Sequence, residues 1–422
     1  MKIFIAATPI FNAAMEVEAY RMCDKSGERA LPQQNDFRFS KADALLTPGL
    51  DLLEQIGVEP LAADKPLFVD INRMHLLKGN PTNLKEIAPE RLVCVLPGGL
   101  PDDEALLERC ENLKNLGYPI AIENFPLSGV NSPYLRYANY LILKNNDVRR
   151  DEIIRAMANQ HPKIRLVLSR VADTAAYEWA SRDKLTRDAL FSGDFYSRPI
   201  TKGDVQVSPL KVNALQLLRE INRDDFELSD ISAIIGRDPS LSISLMRFIN
   251  SSASGLSRRV DSIQSAVAIM GQQEVRRWGM VAITENLAED RPGEVTRLSL
   301  IRAKFAENLA GIFELGVFQS QLFIAGLFSL LDVILSKPME QAVQEVAVNE
   351  KVRQALVDKT GDLYPVLELI YEYERAEWDT VSILLIRNNV DIEAVFDAFV
   401  DALTWYNQLL TSIDEQDVVG KA

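Results

Sequence analysis

The sequence predicts two joined folds: an α/β domain closed as a β/α barrel and, after it, an all-α domain. Three observations lead there. The 422 residues amount to about two ordinary domains of chain. The first half alternates short β-type runs with amphipathic stretches, the pattern of βα units on a parallel sheet. The second half keeps helical spacing almost throughout. With 47% hydrophobic and 25% charged residues, the chain has material for two cores.

In chain order, the strand candidates are 2–6, 67–71, 92–96, 120–122, 140–143 and 164–168. Between them, 103–116 sets Ala105, Leu106, Cys110, Leu113 and Leu116 near helical spacing, and 151–159 does so with Ile153, Ile154 and Met157. About six strands with intervening helices in about 200 residues suit a closed or nearly closed barrel. The run from Gly193 to Pro199 ends the alternation, and a polar stretch with Gly and Pro puts a boundary near residue 203.

Beyond it, Ser229 is a candidate cap for a helix stopped by Gly236. Asp238 and Pro239 begin the next helix, as cap and first helical residue, with Leu241, Leu245, Phe248 and Ile249 on one face. Ser262 caps a third, with Ile263, Ala266, Val267 and Met270 inward and Gly271 as its stop. Further helices are expected over 300–313, 321–335, 349–356, 363–374, 378–388 and 392–410. The chain thus divides into a barrel domain (1–203), a helical domain (204–410) and a polar tail (411–422).

The net charge of −14 is unevenly placed, about −1 on residues 1–203 and about −13 on residues 204–422. So acidic a second half is repelled by phosphate backbones, and nucleic acid is not expected as a partner. The only two histidines, His75 and His161, lie in the first half, so no two-His metal site and no Ser-His-Asp triad can be built in the second. Cys23, Cys94 and Cys110 are widely spaced and fit a reducing compartment without disulfides. No window holds 18 consecutive apolar residues, so no membrane insertion is expected. The start reads as a strand rather than a signal peptide, and the expected location is the cytoplasm.

Two families are resembled in tandem. DPSLSISLMRFINSSASGLSRRVDSIQSAVAIMGQQEVRRWGM (238–280) is similar to an HDOD domain, and AGLFSLLDVILSKPMEQAV (325–343) to the same family's core helix. ATPIFNAAMEVEAYRM, LGYPIAIENF and FSGDFYSRPI resemble the first hairpin, a middle strand and the terminal motif of an EAL domain, the phosphodiesterase that opens cyclic di-GMP. The resemblance implies an EAL–HDOD signalling protein of a kind known from bacteria: an EAL-like TIM-type barrel, then an HD-like helical domain.

EAL chemistry implies two dications held by hard oxygen ligands at the ends of successive strands. Carried over position by position, the motif is poor in such ligands. Arg21 stands at the first ligand Glu, Asp70 at the ligand Asn, Cys94 and Pro97 at the next Glu pair, and Glu123-Asn124 at the Asp-Asp pair. The catalytic Lys falls at Ile142, with Lys144 two residues on and on the same strand face; the late acids fall at Ser169 and Ala172, and the terminal Gln at Ser192. Glu18 mimics the first Glu by eye, but an odd shift along a strand turns a side chain to the other face. At about 4 Å and an effective dielectric of about 20, a dication beside the Arg21 guanidinium would be disfavoured by on the order of 8 kcal/mol.

The expectation is therefore a non-catalytic adaptor with no catalytic residues, no metal and no cofactor. The weak ligand candidates at the barrel mouth are Arg21, Asp70, Glu123 and Lys144. In the helical domain the HD-type His-Asp step falls at Ser329-Leu330, which excludes that hydrolysis and leaves interaction with signalling proteins as the implied role. Arg276, Arg277 and Trp278 are interaction candidates, because Trp and Arg are enriched at interfaces; Trp278 also reads as core. Two alternatives stay open: a cyclic-di-GMP receptor without turnover, in which Arg21 holds a phosphate bidentately, and a residual metal-dependent phosphodiesterase using Asp70, Glu123 and Lys144. An oligomer is compatible with the sequence.

Overall fold

In the computed structural model the described residues are 4–24, 53, 56–71, 76, 87–124, 132–198, 209–223, 225–250, 260–288 and 291–419. The expected boundary at 203, His75 and Arg258-Arg259 lie outside them. Two compact units are present. One comprises Met1–Arg198 with Tyr371–Arg387 and Asp391–Phe396; the other comprises Pro199–Ile370, Asn388–Val390 and Asp397–Ala422.

The first unit holds a closed eight-stranded barrel in sequence order. Its strands are β1 (Ile5–Phe11), β2 (Val17–Asp24), β3 (Leu67–Asp70), β4 (Leu92–Pro97), β5 (Ile120–Glu123), β6 (Tyr140–Lys144), β7 (Arg165–Ser169) and β8 (Leu190–Phe191). β1 runs antiparallel to β2 and β8; the other neighbours are parallel. The two strands beyond the expected six are β2, whose polar content hides its period, and β8, which is two residues long.

Alternation along the strands sorts the barrel into two buried layers. Ile10, Ala19, Phe68, Val93, Val95, Ala121, Ile142, Val167 and Leu190 fill the interior. The residues between them on the strands, Val69, Cys94, Ile122 and Leu141 among others, are also buried. Helices α1 (Glu104–Asn115), α2 (Arg150–Gln160) and α3 (Thr174–Arg182) cover the outside. α1 buries Leu106, Cys110 and Leu113, as its spacing predicts, but Ala105 and Leu116 are exposed. Asp103 and Asp173 cap α1 and α3, each accepting a backbone N–H two or three residues on, which satisfies donors the helix leaves orphaned. Gly193 follows β8 at φ 151, where an added Cβ would fall 2.2 Å from the Val171 carbonyl oxygen, so no side chain fits at this crossing of strand ends.

The second unit is helical among its described residues. α4 (Pro209–Ile221), α5 (Leu228–Ile235), α6 (Pro239–Ile249) and α7 (Ile263–Leu287) are followed by α8 (Gly293–Ile312), α9 (Gln319–Leu327), α10 (Leu331–Leu335) and α11 (Met339–Val346). Three more helices complete the chain: α12 (Tyr364–Glu374) and α14 (Ile392–Val419) each divide between the two units, and α13 (Trp378–Arg387) belongs to the first.

Asp238 caps α6 through the Ser240 and Leu241 amides, with Pro239 at its first turn, as the sequence predicts. Two details differ. The cap of α5 is Glu227 rather than Ser229, and no side chain bonds there. Phe248 is 37% exposed, while Leu241, Leu245 and Ile249 are buried. Gly271 ends the helical run begun at Ile263, as the sequence predicts: at φ 71° and ψ 174° it is non-helical, and a second helical run follows it directly to Leu287 within α7. The side chain of Asn250 bonds Val260 in both directions, tying the end of α6 to the residues just before α7. α14 extends beyond the expected end at 410 to Val419.

One stretch, Gly316–Leu335, is apolar and long enough to span a membrane by composition, but 61% of its window is buried within the fold. It comprises two α-helices joined by 3₁₀ turns and supplies core residues such as Leu322, Leu327, Phe328 and Leu331.

Candidate functional site at the barrel mouth

In a β/α barrel the C-terminal strand ends gather chemistry-bearing side chains. Here Asp70, Glu123 and Lys144 are the last residues of β3, β5 and β6, and Arg21 is carried by β2 beside Phe68 of β3. Parity puts Arg21 on the interior face with Ala19, Glu123 with Ala121, and Lys144 with Ile142. The four sequence candidates therefore converge on one end of the barrel.

Three of them form an ion triad. The Arg21 guanidinium donates to both oxygens of Glu123, Nη1 to Oε1 at 2.6 Å and Nη2 to Oε2 at 2.8 Å. Its Nη2 also donates to Asp70 Oδ1 at 2.8 Å. The side chains of Arg21, Glu123 and Asp70 are 17%, 22% and 42% exposed, so the Arg21–Glu123 pair is largely withdrawn from water. Burial alone would lower the Arg21 pKa, but Asp70 and Glu123 outweigh it and raise it above the ordinary value. Burial likewise pushes the Glu123 carboxyl up, yet the Arg21 hydrogen bonds and charge, with Lys144 and Arg170, hold it below the usual carboxylate range.

The arrangement does not fit a pair of dications. Both carboxylates face a fixed guanidinium in bidentate and single contacts, and a metal would have to displace it. Among the described residues, no group of three or more His, Cys, Asp or Glu is placed to hold a metal. On β4 the interior positions carry Val95 and Pro97, with neither charge nor oxygen donor on the side chain. Cys94, placed by sequence at a ligand position, lies on the opposite face of β4. There burial, with a smaller contribution from Cys110, pushes its thiol up to about 12. Ser169 donates to the Leu143 carbonyl. Glu18, the look-alike of the first ligand, is held by Arg165 at 2.5 and 3.0 Å.

Sequence reasoning missed Arg170. It follows β7 directly, in a left-handed turn at φ 58, and its charge acts on Glu123. Asn124 takes a similar turn at φ 54 after β5. A charged residue immediately after a parallel strand was the available signal.

The helical candidates are used inside their own unit. Trp278 is buried at 6% exposure. Arg276 donates to the Arg223 carbonyl and lies over the Phe226 ring; Arg277 donates to Glu307 Oε2 and lies over Phe323. At the Ser329 position, Arg302 Nη1 donates to Ser329 Oγ at 3.0 Å, and Ser329 Oγ donates to the Gly326 carbonyl.

Comparison with known proteins places this architecture. The HDOD domain family matches residues 207–360. The chain is 30% identical to YuxH of Bacillus subtilis, an uncharacterized protein, over 97% of this chain and 99% of that protein. It is 26% identical to the cyclic di-GMP phosphodiesterase CdgJ of Vibrio cholerae, over 95% and 92% respectively. Among solved structures, the PaMucR phosphodiesterase in complex with c-di-GMP is matched at 18% identity and TM-score 0.36, covering 47% of this chain and 97% of that one. The Bacillus subtilis YkuI protein, with an EAL domain, is matched at 15% identity and TM-score 0.34, covering 46% and 54%. The chain belongs to the family of YuxH, with an EAL-like barrel followed by an HDOD domain.

Proposed function

We propose that this protein is a signalling adaptor that does not hydrolyse cyclic di-GMP: the barrel is retained as a scaffold and the HDOD domain engages partner proteins. The supporting observation is the Arg21 guanidinium, which binds Glu123 through two hydrogen bonds and Asp70 through a third, and which stands where the EAL resemblance expects the first ligand glutamate. A positive group built into the fold gives the two acids the charge compensation that a metal would otherwise supply, and it activates no water. The HDOD match and the absence of any histidine after residue 161 support an interaction role for the second half. The expected location is the cytoplasm.

The test is incubation of the purified full chain with cyclic di-GMP and magnesium or manganese, followed by separation of nucleotides. No linear dinucleotide should form. Metal-dependent turnover that disappears in Glu123→Ala would overturn the proposal. That outcome is the second reading, a residual phosphodiesterase using Asp70, Glu123 and Lys144, which the likeness to CdgJ favours. Binding of cyclic di-GMP without cleavage, weakened by Arg21→Glu, would make the barrel a receptor.

A further inference from the structure

The barrel unit includes chain from the far end of the sequence, Tyr371–Arg387 and Asp391–Phe396. The contact that binds it is aromatic. The Phe4 ring stacks on Trp378 with centroids 5.2 Å apart and planes 3° from parallel, and meets Tyr373 edge-on at 5.8 Å. Tyr373 and Trp378 meet edge-on at 5.3 Å, so each ring touches the other two. All three are buried, at 1% exposure for Phe4 and 0% for the other two. The Ile5 backbone N–H also points to the Tyr373 hydroxyl, at 3.5 Å.

The place this cluster grips matters. Phe4 directly precedes β1, and Ile5, its first residue, pairs with Asp24 at the far end of β2, past Arg21, which pairs with Thr8. Beyond Arg21, β2 has no register with β3: the β2–β3 pairing covers Tyr20 and Arg21 alone. Among the described residues the outer part of the β1–β2 hairpin therefore pairs as two strands alone, and isolated ribbons are marginal in water. It needs a cover, and the Tyr373–Trp378 pair packs on it.

We infer that Tyr371–Arg387 and Asp391–Phe396 form a strap of the barrel unit whose Tyr373–Trp378 clamp on Phe4 orders the outer β1–β2 hairpin and so holds Arg21 in register with Glu123 and Asp70. Among the described residues the buried Trp378 indole N–H has no hydrogen-bond partner, so there the ring is held by packing against an unsatisfied donor. Release would leave the strands from β3 to β8 paired and free the hairpin that carries the guanidinium.

Hydrogen exchange on the full-length protein tests this. In Trp378→Ala, amides of the outer hairpin, from Ile5 to Ala7 and from Met22 to Asp24, should exchange about a hundredfold faster, the scale of a large aromatic removed from a core. Amides of β6, β7 and α8 should be unchanged. Trp378→Phe, which keeps a ring and removes the orphan donor, should retain or raise hairpin protection, and Phe4→Leu should fall between. Hairpin exchange unchanged in a folded Trp378→Ala, or acceleration of β6 and β7 equal to that of the hairpin, would overturn the inference. If Trp378→Ala does not fold, Phe4→Leu decides it by the same comparison.

Discussion

Arg21→Met will destabilise the barrel unit by about 3–5 kcal/mol at neutral pH, because it strands two acids that the fold keeps close to a guanidinium. Most of that loss belongs to Glu123, whose side chain is 22% exposed; Asp70, 42% exposed, is screened by water and contributes little. For a unit of about 200 residues this lowers the midpoint of thermal unfolding by roughly 10 °C. The effect has a defined pH dependence. In the native protein the Glu123 pKa is lowered, so its contribution is full above the unfolded carboxylate value and is lost as pH falls through the folded value. Without Arg21, burial dominates and the Glu123 pKa rises above the unfolded value. The variant then loses stability as pH rises through the carboxylate range. Thermal scans at pH 7 and pH 4 should show the gap between native protein and variant shrinking at the lower pH. A gap that stays constant would mean the triad contributes packing rather than charge.

Gly326→Ala will destabilise the helical unit by about 3 kcal/mol or more, although alanine is the better helix former by about 1 kcal/mol. Gly326 lies in α9 against the backbone of α8. A Cβ there would fall 2.4 Å from the Arg302 carbonyl oxygen and 2.7 Å from the Ala303 Cα. Backbone cannot turn aside as a side chain can, so the two helices must separate by about 1 Å along most of their contact. Separation also pulls Ser329 from the Arg302 guanidinium, a hydrogen bond buried in the same core. The control is Gly311→Ala in α8, where an added Cβ has nothing within 4 Å. That change should be neutral or stabilising by about 0.5–1 kcal/mol through helix propensity. Denaturant unfolding of both variants measures the contrast; equal midpoints would refute the clash.

Much of this architecture was legible because it is local. Strands β3 to β7 and the barrel helices α1 and α2 follow from period and length, and Asp238-Pro239 announces α6; α3 is not among the expected helices. Carrying the motif over brought Arg21, Asp70, Glu123 and Lys144 to one end of the barrel before any coordinates. Where the reading failed, the deciding interactions lie elsewhere in the chain. β8 is two residues long and exists only because β1 and β7 receive it. Cys94 was given a ligand position, but strand parity turns it away from the mouth. The strap was out of reach for the same reason: Ile5 and Tyr373 are 368 residues apart, and Trp378 begins a helix whose spacing alone does not say what it covers.

The placement of the thiols makes the protein ready for single-point labelling. Burial pushes Cys94 and Cys110 to about 12 and about 11, so neither presents a nucleophilic thiolate at neutral pH. Cys23 is partly exposed and lies on β2 two residues beyond Arg21. A maleimide probe added to the native chain, with no cysteine removed, would therefore report from the very ribbon on which the guanidinium rides.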